Sequence, residues 1–361
     1  MIRFVIWRNK TPMKAVLARG MAYCLCWCGL LNLGLAATAE AQTRPSAAPA
    51  SSLSEGVAER SVTDWLLRMH EASRRRTYAG TFVVSVGGAL SSSRISHICD
   101  GDQQLELVES LTGAPRSILR RNDQVLTFLP DSRVVVIEER ESLGLFPNLL
   151  TAGGASIAQH YRVQMSGRER VAGFEADVVQ LRPNDELRFG YRVWIERKTG
   201  LMVKLQILDG AGHVLEQSAF SELQLDMPLS AGKLIRMIAN TAGFQVERPD
   251  IARTTAGAEG WVLKSVVPGF EAVSCYRRPV GRAAVEARSK NTVQWVFSDG
   301  LASVSLFVET FDPRLHRQPI RQALGATHTI TQRMGGWWLT AVGEVPYPTL
   351  EGFARGLERT K

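Results

Sequence analysis

The stretch RFGYRVWIERKTGLMVKLQILD, residues 188–209, predicts two β-strands joined by a tight turn. Apolar residues alternate with charged or polar ones on both sides of the turn, which is the period of a strand with one buried and one solvated face. The apolar positions are Tyr191, Val193, Ile195, Leu201, Val203, Leu205 and Ile207. This pattern indicates an antiparallel sheet that buries one of its faces.

The turn itself, Lys198-Thr199-Gly200, matches the K-T-G triplet of serine penicillin-recognising enzymes. Those enzymes carry S-x-x-K, then S-D-N, then K-T-G along the chain. Here the segments nearest to the first two motifs, residues 230–233 and 298–300, both follow the triplet, and the second ends in Gly. We therefore interpret the triplet as a three-residue turn in which Gly200 supplies a positive φ.

Segments with the same two-residue period continue on both sides of this hairpin, over residues 78–225. They predict strands at or around residues 78–86, 95, 105, 125–128, 133–137, 161, 174–181, 189–196, 201–208 and 213–225. Ahead of them, Trp65 and Met69 lie on the apolar side of a predicted helix that Ser61 or Thr63 caps.

A sheet of this width must curl, and few helices are available to cover its apolar face. Residues 61–225 are therefore predicted to form a half-closed antiparallel β-barrel with a helical lid. Pro and Gly in the stretch DMPLSAG mark residues 226–236 as a linker. Residues 237–361 are predicted to form a smaller antiparallel β domain that ends in a helix opening at Pro348, so the fold class is mainly β (α+β).

The smaller predicted domain has its own strand and turn signals. Strands are predicted at residues 261–267, 273–276, 292–298, 302–311, 328–332 and 337–342. Two-residue hairpin turns are predicted at Asp299-Gly300 and at Gly335-Gly336.

Residues 1–41 have the layout of a cleaved secretory signal. Basic residues precede an apolar run over residues 21–37 that ends in small residues. The run is shorter than a typical membrane span, although an uncleaved anchor is the alternative interpretation. Residues 42–60 are rich in Ala, Ser and Pro and are predicted to be a flexible leader.

The charge of the chain argues against a nucleic-acid partner. The formal net charge of +8 includes the basic residues of the signal, so the secreted part is only mildly basic. No block of Lys and Arg with interleaved aromatic residues is present in the sequence. A mildly basic secreted protein still favours anionic lipid or an acidic partner.

No sequence pattern indicates catalysis. Dinucleotide, Walker, G-x-S-x-G and H-E-x-x-H fingerprints are missing from the sequence, so the chain is predicted not to be an enzyme and to need no cofactor or metal. His97 has no Cys, His or carboxylate at ligand spacing, and Glu138-Glu139 are interpreted as solvated strand ends. Beyond the signal only Cys99 and Cys275 occur, and whether they form a disulfide is left open.

The pair Trp337-Trp338 is the candidate partner-binding feature. Adjacent residues of a strand point to opposite faces, so only one of the two rings can enter the core. The other ring either packs against a neighbouring strand or contacts a partner, because Trp is favoured at binding hot spots.

Several segments carry a family resemblance through both predicted domains. They are YAGTFVV (78–84), LTGAPRSILRRNDQVLTFLPDSRVVVIE (111–138), the hairpin at 188–209, VPGF (267–270), SDGLASVSLFVE (298–309) and GATHTITQRMGGWWLTAVGEVPYPTL (325–350). Together they resemble the RseB/MucB family, periplasmic negative regulators of the sigma-E envelope-stress response. The likeness runs from about Trp65 to Phe353, and only residues 241–260 have no clear counterpart.

The resemblance implies a large domain similar to the LolA-like lipoprotein-carrier fold, with a smaller regulatory domain docked on it. It implies a periplasmic protein that binds the periplasmic region of a membrane-anchored anti-sigma factor and protects it from regulated proteolysis. It also implies that lipid, such as the acyl chains of lipopolysaccharide or lipoprotein, ends this protection. The family supplies no catalytic residues.

An incompletely covered apolar face suits acyl chains, because their burial is non-directional and contributes about 0.8 kcal/mol per methylene. The predicted lipid-binding residues are Trp65 and Met69 from the helix and Phe82, Val84, Leu126, Phe128, Val193, Ile195, Val203 and Leu205 from the sheet. Each of them can equally be packed core. A periplasmic lipoprotein or lipid carrier is the alternative function, an enzyme acting on envelope material is a third, and a homo-oligomer is left open.

Overall fold

A computed structural model describes residues 60–100, 103–139, 155–228, 230–279 and 291–360. They belong to one compact unit, Arg60–Lys361. The predicted signal, the predicted leader up to residue 59 and the loop at residues 140–154 lie outside the described residues. Within the described part of the chain, no helix is both long and apolar enough to cross a membrane.

Twelve strands form one large sheet in the order β12-β6-β5-β4-β3-β2-β1-β11-β10-β9-β8-β7. Their bounds are β1 Tyr78–Val86, β2 Ala89–Asp100, β3 Gln103–Ser110, β4 Ser117–Arg121, β5 Gln124–Leu129, β6 Val134–Glu139, β7 Tyr161–Val171, β8 Phe174–Pro183, β9 Gly190–Glu196, β10 Met202–Leu208, β11 Val214–Leu225 and β12 Gln245–Glu247. All neighbours are antiparallel except β12, which runs parallel to β6. The prediction of a mainly β, antiparallel fold is confirmed.

The register of the strands assigns each side chain to one of the two faces of this sheet, because residues directly opposite each other share a face. Val84 opposes Ser218, Ser218 opposes Leu205, and Leu205 opposes Val193. We call the face that carries these residues the α1 face. The opposite face, which carries Leu107, Leu119, Leu126 and Val135, is called the α3 face.

Helix α1, Val62–Arg75, packs on the first of these faces. Ser61 caps it, because the Asp64 N–H donates to the Ser61 hydroxyl while the Asp64 carboxylate accepts the Ser61 N–H. The helix contacts β7 and the short helix α2, Ala155–His160. Arg68 donates to the Arg197 carbonyl after β9, so α1 lies against the β7–β11 half of the sheet.

Helix α3, Ala231–Ala239, begins within the predicted linker, residues 226–236, and extends past its end. Leu234 is buried in a cluster with Leu105, Leu119 and Leu126 of the α3 face. Gly232 lies in the first turn of the helix, before Leu234, so it does not interrupt the apolar side of the helix. The chain therefore continues to pack on the large sheet through α3 and β12 before it reaches the second sheet.

The second sheet has seven antiparallel strands in the order β13-β15-β16-β17-β20-β19-β18. The bounds are β13 Ala252–Arg253, β14 Trp261–Leu263, β15 Glu271–Pro279, β16 Asn291–Ser298, β17 Ser303–Thr310, β18 Arg321–Leu324, β19 Thr327–Met334, β20 Trp337–Gly343, α4 Tyr347–Gly356 and β21 Leu357–Arg359. Strands β14 and β21 pair separately. The predicted two-residue turn at Gly335-Gly336 joins β19 to β20, whereas the turn that contains Asp299-Gly300 and joins β16 to β17 has four residues, 299–302. Leu350 and Phe353 of α4 are fully buried in the core.

The K-T-G triplet is a turn between β9 and β10, as its position predicts. The Glu196 carboxylate accepts hydrogen bonds from the N–H groups of Lys198 and Thr199 and from the Thr199 hydroxyl. Burial raises the pKa of Glu196, but these hydrogen bonds outweigh it and hold the pKa below its usual value. Gly200 has a φ of +83°, and a Cβ there would lie 2.7 Å from Cγ of Arg68.

Replacing Gly200 with Ala should therefore destabilise the protein by more than about 1 kcal/mol, because both the backbone and the packing of α1 oppose a side chain. Urea unfolding measures the loss. The matched control is Gly210→Ala, in a turn where a Cβ meets open space, and its free energy of unfolding should stay within about 0.5 kcal/mol of the parent. Equal stability of the two variants would contradict the role assigned to the triplet.

Candidate functional site

The ten predicted lipid-binding residues do not share one surface. Phe82, Val84, Val193 and Leu205 lie on the α1 face, Ile195 follows the same alternation on β9, and Val203 lies at a register shift of β10. Trp65 and Met69 lie on the buried side of α1. Leu126 and Phe128 oppose Leu119 and Ser117, so they lie on the α3 face.

Most of the predicted residues on the α1 side are already packed. Trp65, Met69, Phe82, Val193, Ile195 and Val203 are each at most 3% exposed. Leu205 is also buried, and Val84 is half-buried. Side chains therefore fill this part of the α1 face, and an acyl chain can enter only if α1 or the second sheet moves away.

The second sheet reaches the α1 face near β1 and near β6. The turn between β18 and β19 packs so closely on β1 that a Cβ at Gly325 would lie 2.6 Å from Cγ1 of Val86. At β6, Arg278 Nη1 lies 3.7 Å from Glu138 Oε1, and the register places Glu138 on the α1 face, opposite Val125. The second sheet therefore covers the α1 face from more than one side.

A buried polar cluster forms the third contact between the two sheets. We call Tyr161, Asp185, Arg188 and Asp299 the junction cluster. Asp299 Oδ2 accepts hydrogen bonds from Arg188 Nε at 2.9 Å and from the Tyr161 hydroxyl at 3.1 Å. Its Oδ1 accepts the N–H groups of Leu301 and Ala302, so the carboxylate is fully hydrogen-bonded.

Arg188 connects this carboxylate to further groups. Its side chain, like that of Asp299, has no exposed surface. Arg188 Nη1 donates to Asp185 at 2.7 Å, and Nη2 donates to the Pro268 carbonyl. The guanidinium also lies over the ring of Phe270, 5.2 Å from its centroid. Because Arg188 and Tyr161 flank strands of the large sheet while Asp299 belongs to the second sheet, the cluster fixes how the two sheets dock.

The junction cluster is a low-dielectric site. Burial raises the pKa of Asp299 against the lowering effect of its N–H donors and of Arg188. Burial, and then the charge of Asp299, raise the pKa of Tyr161 well above its usual value. A buried ion pair of this kind contributes little net stability but strongly disfavours any arrangement that leaves one partner alone. Its main effect is therefore to specify one docking of the sheets.

Neighbouring residues extend the contact along the loop that precedes β9. The Thr349 hydroxyl of α4 donates to the Leu187 carbonyl at 2.5 Å. Phe189 meets the ring of His328 edge-on at 5.4 Å, and His328 stacks on Tyr347 at 4.1 Å. Burial, and then Arg321, lower the pKa of His328, so the neutral ring is the favoured form in this interface.

The two candidate partner-binding tryptophans both take part in packing within the second sheet. Trp337 is half-buried and meets Trp261 edge-on at 5.4 Å, with Arg359 over its ring. Trp338 is 6% exposed and stacks on His316 at 4.8 Å. The rings point to opposite faces, as the strand geometry predicts, and Trp337 keeps the larger exposed surface.

The described residues hold no group of three or more His, Cys, Asp or Glu side chains that could bind a metal ion. Cys99 and Cys275 are both free thiols. Burial, and then Glu259, raise the pKa of Cys275 to about 11, so this thiol is protonated at neutral pH.

The sequence could not have identified the junction cluster, because Asp299 carries a hairpin signal and Arg188 stands at the edge of a strand.

Known proteins resemble this chain over both sheets. The family model described as MucB/RseB N-terminal domain matches residues 61–238, and the MucB/RseB C-terminal domain matches residues 255–358. The sigma factor AlgU regulatory protein MucB of Pseudomonas aeruginosa is 30% identical over 314 residues, which covers 81% of this chain and 89% of the relative. The sigma-E factor regulatory protein RseB of Escherichia coli (strain K12) is 23% identical over 299 residues, with the same coverage of 81% and 89%.

Solved structures show the same similarity. A crystal structure of MucB in complex with MucA(peri) aligns with 83% of this chain and 99% of that chain, at 27% identity and a TM-score of 0.63. The complex structure of Pseudomonas aeruginosa MucA/MucB aligns over the same shares, 83% and 99%, at 26% identity and a TM-score of 0.64.

Replacing Arg188 with Met should destabilise the protein by about 3 to 5 kcal/mol, because Asp299 is then left buried without its cation. Chemical unfolding followed by Trp fluorescence measures the loss. Arg314→Met is the matched control, since Arg314 pairs with Asp312 at an exposed site and its loss should be undetectable. Similar stability of both variants would show that the junction cluster does not constrain the docking.

Replacing His328 with Phe should flatten the pH dependence of stability. In the folded chain the pKa of His328 is lowered. As the pH falls below about 6.5, His328 of the unfolded chain therefore takes up a proton before His328 of the folded chain does. The stability that neutral His328 contributes is complete above that pH and is lost as the pH falls towards the lowered pKa. Free energies of unfolding at pH 7.5 and 5.5 test this, and an unchanged difference between the two pH values would contradict it.

Proposed function

Because the chain belongs to the MucB/RseB family, we propose that it is a periplasmic negative regulator that binds the periplasmic region of a membrane-anchored anti-sigma factor. The family assignment confirms the resemblance that the sequence carries. One observation carries the proposal: the alignment with MucB bound to MucA(peri) extends over 83% of this chain, through both sheets. In the bound state the regulator shields the anti-sigma factor from the protease that begins its destruction.

The large sheet acts as a half-closed barrel with α1 as its lid. The contact of β7 with β11, which lie at opposite ends of a five-strand run, supports strong curling of this half. Residues 61–225 form the lipid-binding domain, 226–236 the linker and 237–361 the regulatory domain in this proposal. The family matches, which end at residue 238 and resume at 255, support two domains with a connection between them.

Lipid ends the protection by competing with the docked state. The packed α1 face offers an acyl chain a site only when α1 or the second sheet withdraws, so lipid binding and close docking exclude each other. The junction cluster makes docking all-or-none, because separating the sheets breaks the buried Arg188–Asp299 pair and leaves Asp299 without its cation. A lipid that favours the undocked state then lowers the affinity for the anti-sigma factor. The anti-sigma factor lowers the affinity for the lipid by the same factor, because the coupling free energy between two sites is reciprocal.

The residues proposed for each ligand follow from this scheme. Acyl chains contact Trp65, Met69, Phe82, Val84, Val193, Ile195, Val203 and Leu205 once the α1 face opens, and Leu126 and Phe128 belong to a separate surface. The anti-sigma factor contacts Trp337, with its more exposed ring, and the neighbouring Trp338.

Binding of the cognate anti-sigma periplasmic segment to the secreted chain tests the function directly. The segment should bind and resist its initiating protease, and lipopolysaccharide should release it. Recovery of mixed lipoproteins in place of one anti-sigma factor in a pull-down would instead identify a lipid carrier.

Replacing Val84 with Asp should weaken lipid-triggered release by about tenfold or more, because the charge opposes burial of a few methylenes. Val84 is only half-buried, so the variant should fold. Val83→Asp is the matched control, because Val83 is the adjacent residue of β1 and points to the opposite face. Release curves from a labelled anti-sigma segment provide the measurement, and equal curves for the two variants would exclude the α1 face as the sensing surface.

A further inference from the structure

An open cleft lies on the α3 face of the large sheet, away from α1. Its volume is about 380 Å³, which falls in the range of roughly 300 to 1,000 Å³ typical of small-molecule sites. Leu107, Leu119 and Phe128 of the sheet form its floor, and Met237 and Phe244 form its roof. Leu234 anchors α3 to the sheet beside it, so the cleft opens where the end of the helix and the following residues leave the sheet.

The walls of the cleft are apolar and fixed. Leu119 has no exposed surface, and Leu107 is buried. Phe128 and Phe244 meet edge-on with their ring centroids 5.4 Å apart, and this pair connects the floor to the roof. The Asn240 side chain accepts the Ala242 N–H, which holds the chain between α3 and Phe244 in a turn. An apolar chain entering here therefore meets a preformed surface.

One charged side chain lies at the rim. Arg236 of α3 is exposed and borders the cleft, whose lining contains no carboxylate. Among the residues that the structure describes, none forms a salt bridge or hydrogen bond with the Arg236 guanidinium. A single cation above an apolar slot is complementary to a molecule with one anionic group and one apolar chain.

We propose that this cleft binds a single-chain anionic lipid, with the acyl chain on Leu119 and Phe128 and the acidic head group on Arg236. The size of the cleft favours one chain over the two chains of a bilayer phospholipid. Leu126 also belongs to the cluster beneath α3, so the two predicted lipid-binding residues that fall outside the α1 face lie at or beside this site. The site is independent of the proposed function, because its test measures direct binding of a lipid to the chain and needs no anti-sigma factor.

The test measures binding of dodecanoate, below its micelle concentration, to the full secreted chain by titration calorimetry. Arg236→Gln should weaken binding about tenfold, corresponding to the loss of one charge-assisted contact of about 1.4 kcal/mol. Ser117→Trp, which places a large side chain in the cleft, should abolish it. Arg248→Gln is the matched control, since Arg248 is an exposed arginine of the same connection that does not line the cleft, and it should bind like the parent.

Two further measurements localise the ligand and separate the outcomes. Hydrogen exchange should show that dodecanoate protects amides of α3 and leaves those of α1 unchanged. Dodecyltrimethylammonium, with the opposite charge, should bind at least about tenfold more weakly than dodecanoate. Equal affinity of the parent and Arg236→Gln, or protection confined to α1, would overturn the proposal. If Ser117→Trp fails to fold, Arg236→Gln still decides the test, because Arg236 is exposed and its replacement should leave the fold intact.

Discussion

The docking of the two sheets depends on one buried carboxylate. Asp299 is held by two backbone N–H groups of its own hairpin and by Arg188 and Tyr161 of the large sheet. The two backbone N–H groups fix the carboxylate relative to the second sheet. Arg188 and Tyr161 fix the large sheet relative to the carboxylate. Because the side chains of Arg188 and Asp299 have no exposed surface, a small displacement removes several hydrogen bonds together. The hydrogen bond from the Thr349 hydroxyl of α4 to the Leu187 carbonyl, in the loop before β9, adds a further contact to the same docking.

Much of the fold could be predicted from local patterns. The alternation in residues 188–209 identified β9 and β10, and the glycines at 200, 300 and 335 identified three turns, because a two-residue period and a positive φ are local properties. Helix α3 was harder to predict, since its apolar side is short and it is stabilised by Leu234 entering a distant cluster. The parallel pairing of β12 with β6 has no local signal either, because only three residues form it.

The candidate site was only partly predictable for the same reason. Alternation shows which residues of one strand share a face, but the relation between strands depends on register across the whole sheet. Leu126 and Phe128 alternate as regularly as Phe82 and Val84, yet the pairing from β1 to β5 places them on the other face. Arg188 and Asp299 are 111 positions apart, and nothing in either local sequence indicates the other. Long-range pairing is a property of the folded chain alone.

The two edges of the large sheet are protected in different ways, with a consequence for any shortened version of the chain. At one edge, β7 carries exposed charged side chains such as Arg162 and Arg170, which discourage a further strand from adding there. At the other edge, β6 is covered by β12, a segment that follows α3. A fragment that stops at Leu225 would leave the backbone of β6, with its row of valines, open to self-association, so the large sheet needs part of the following segment to stay soluble.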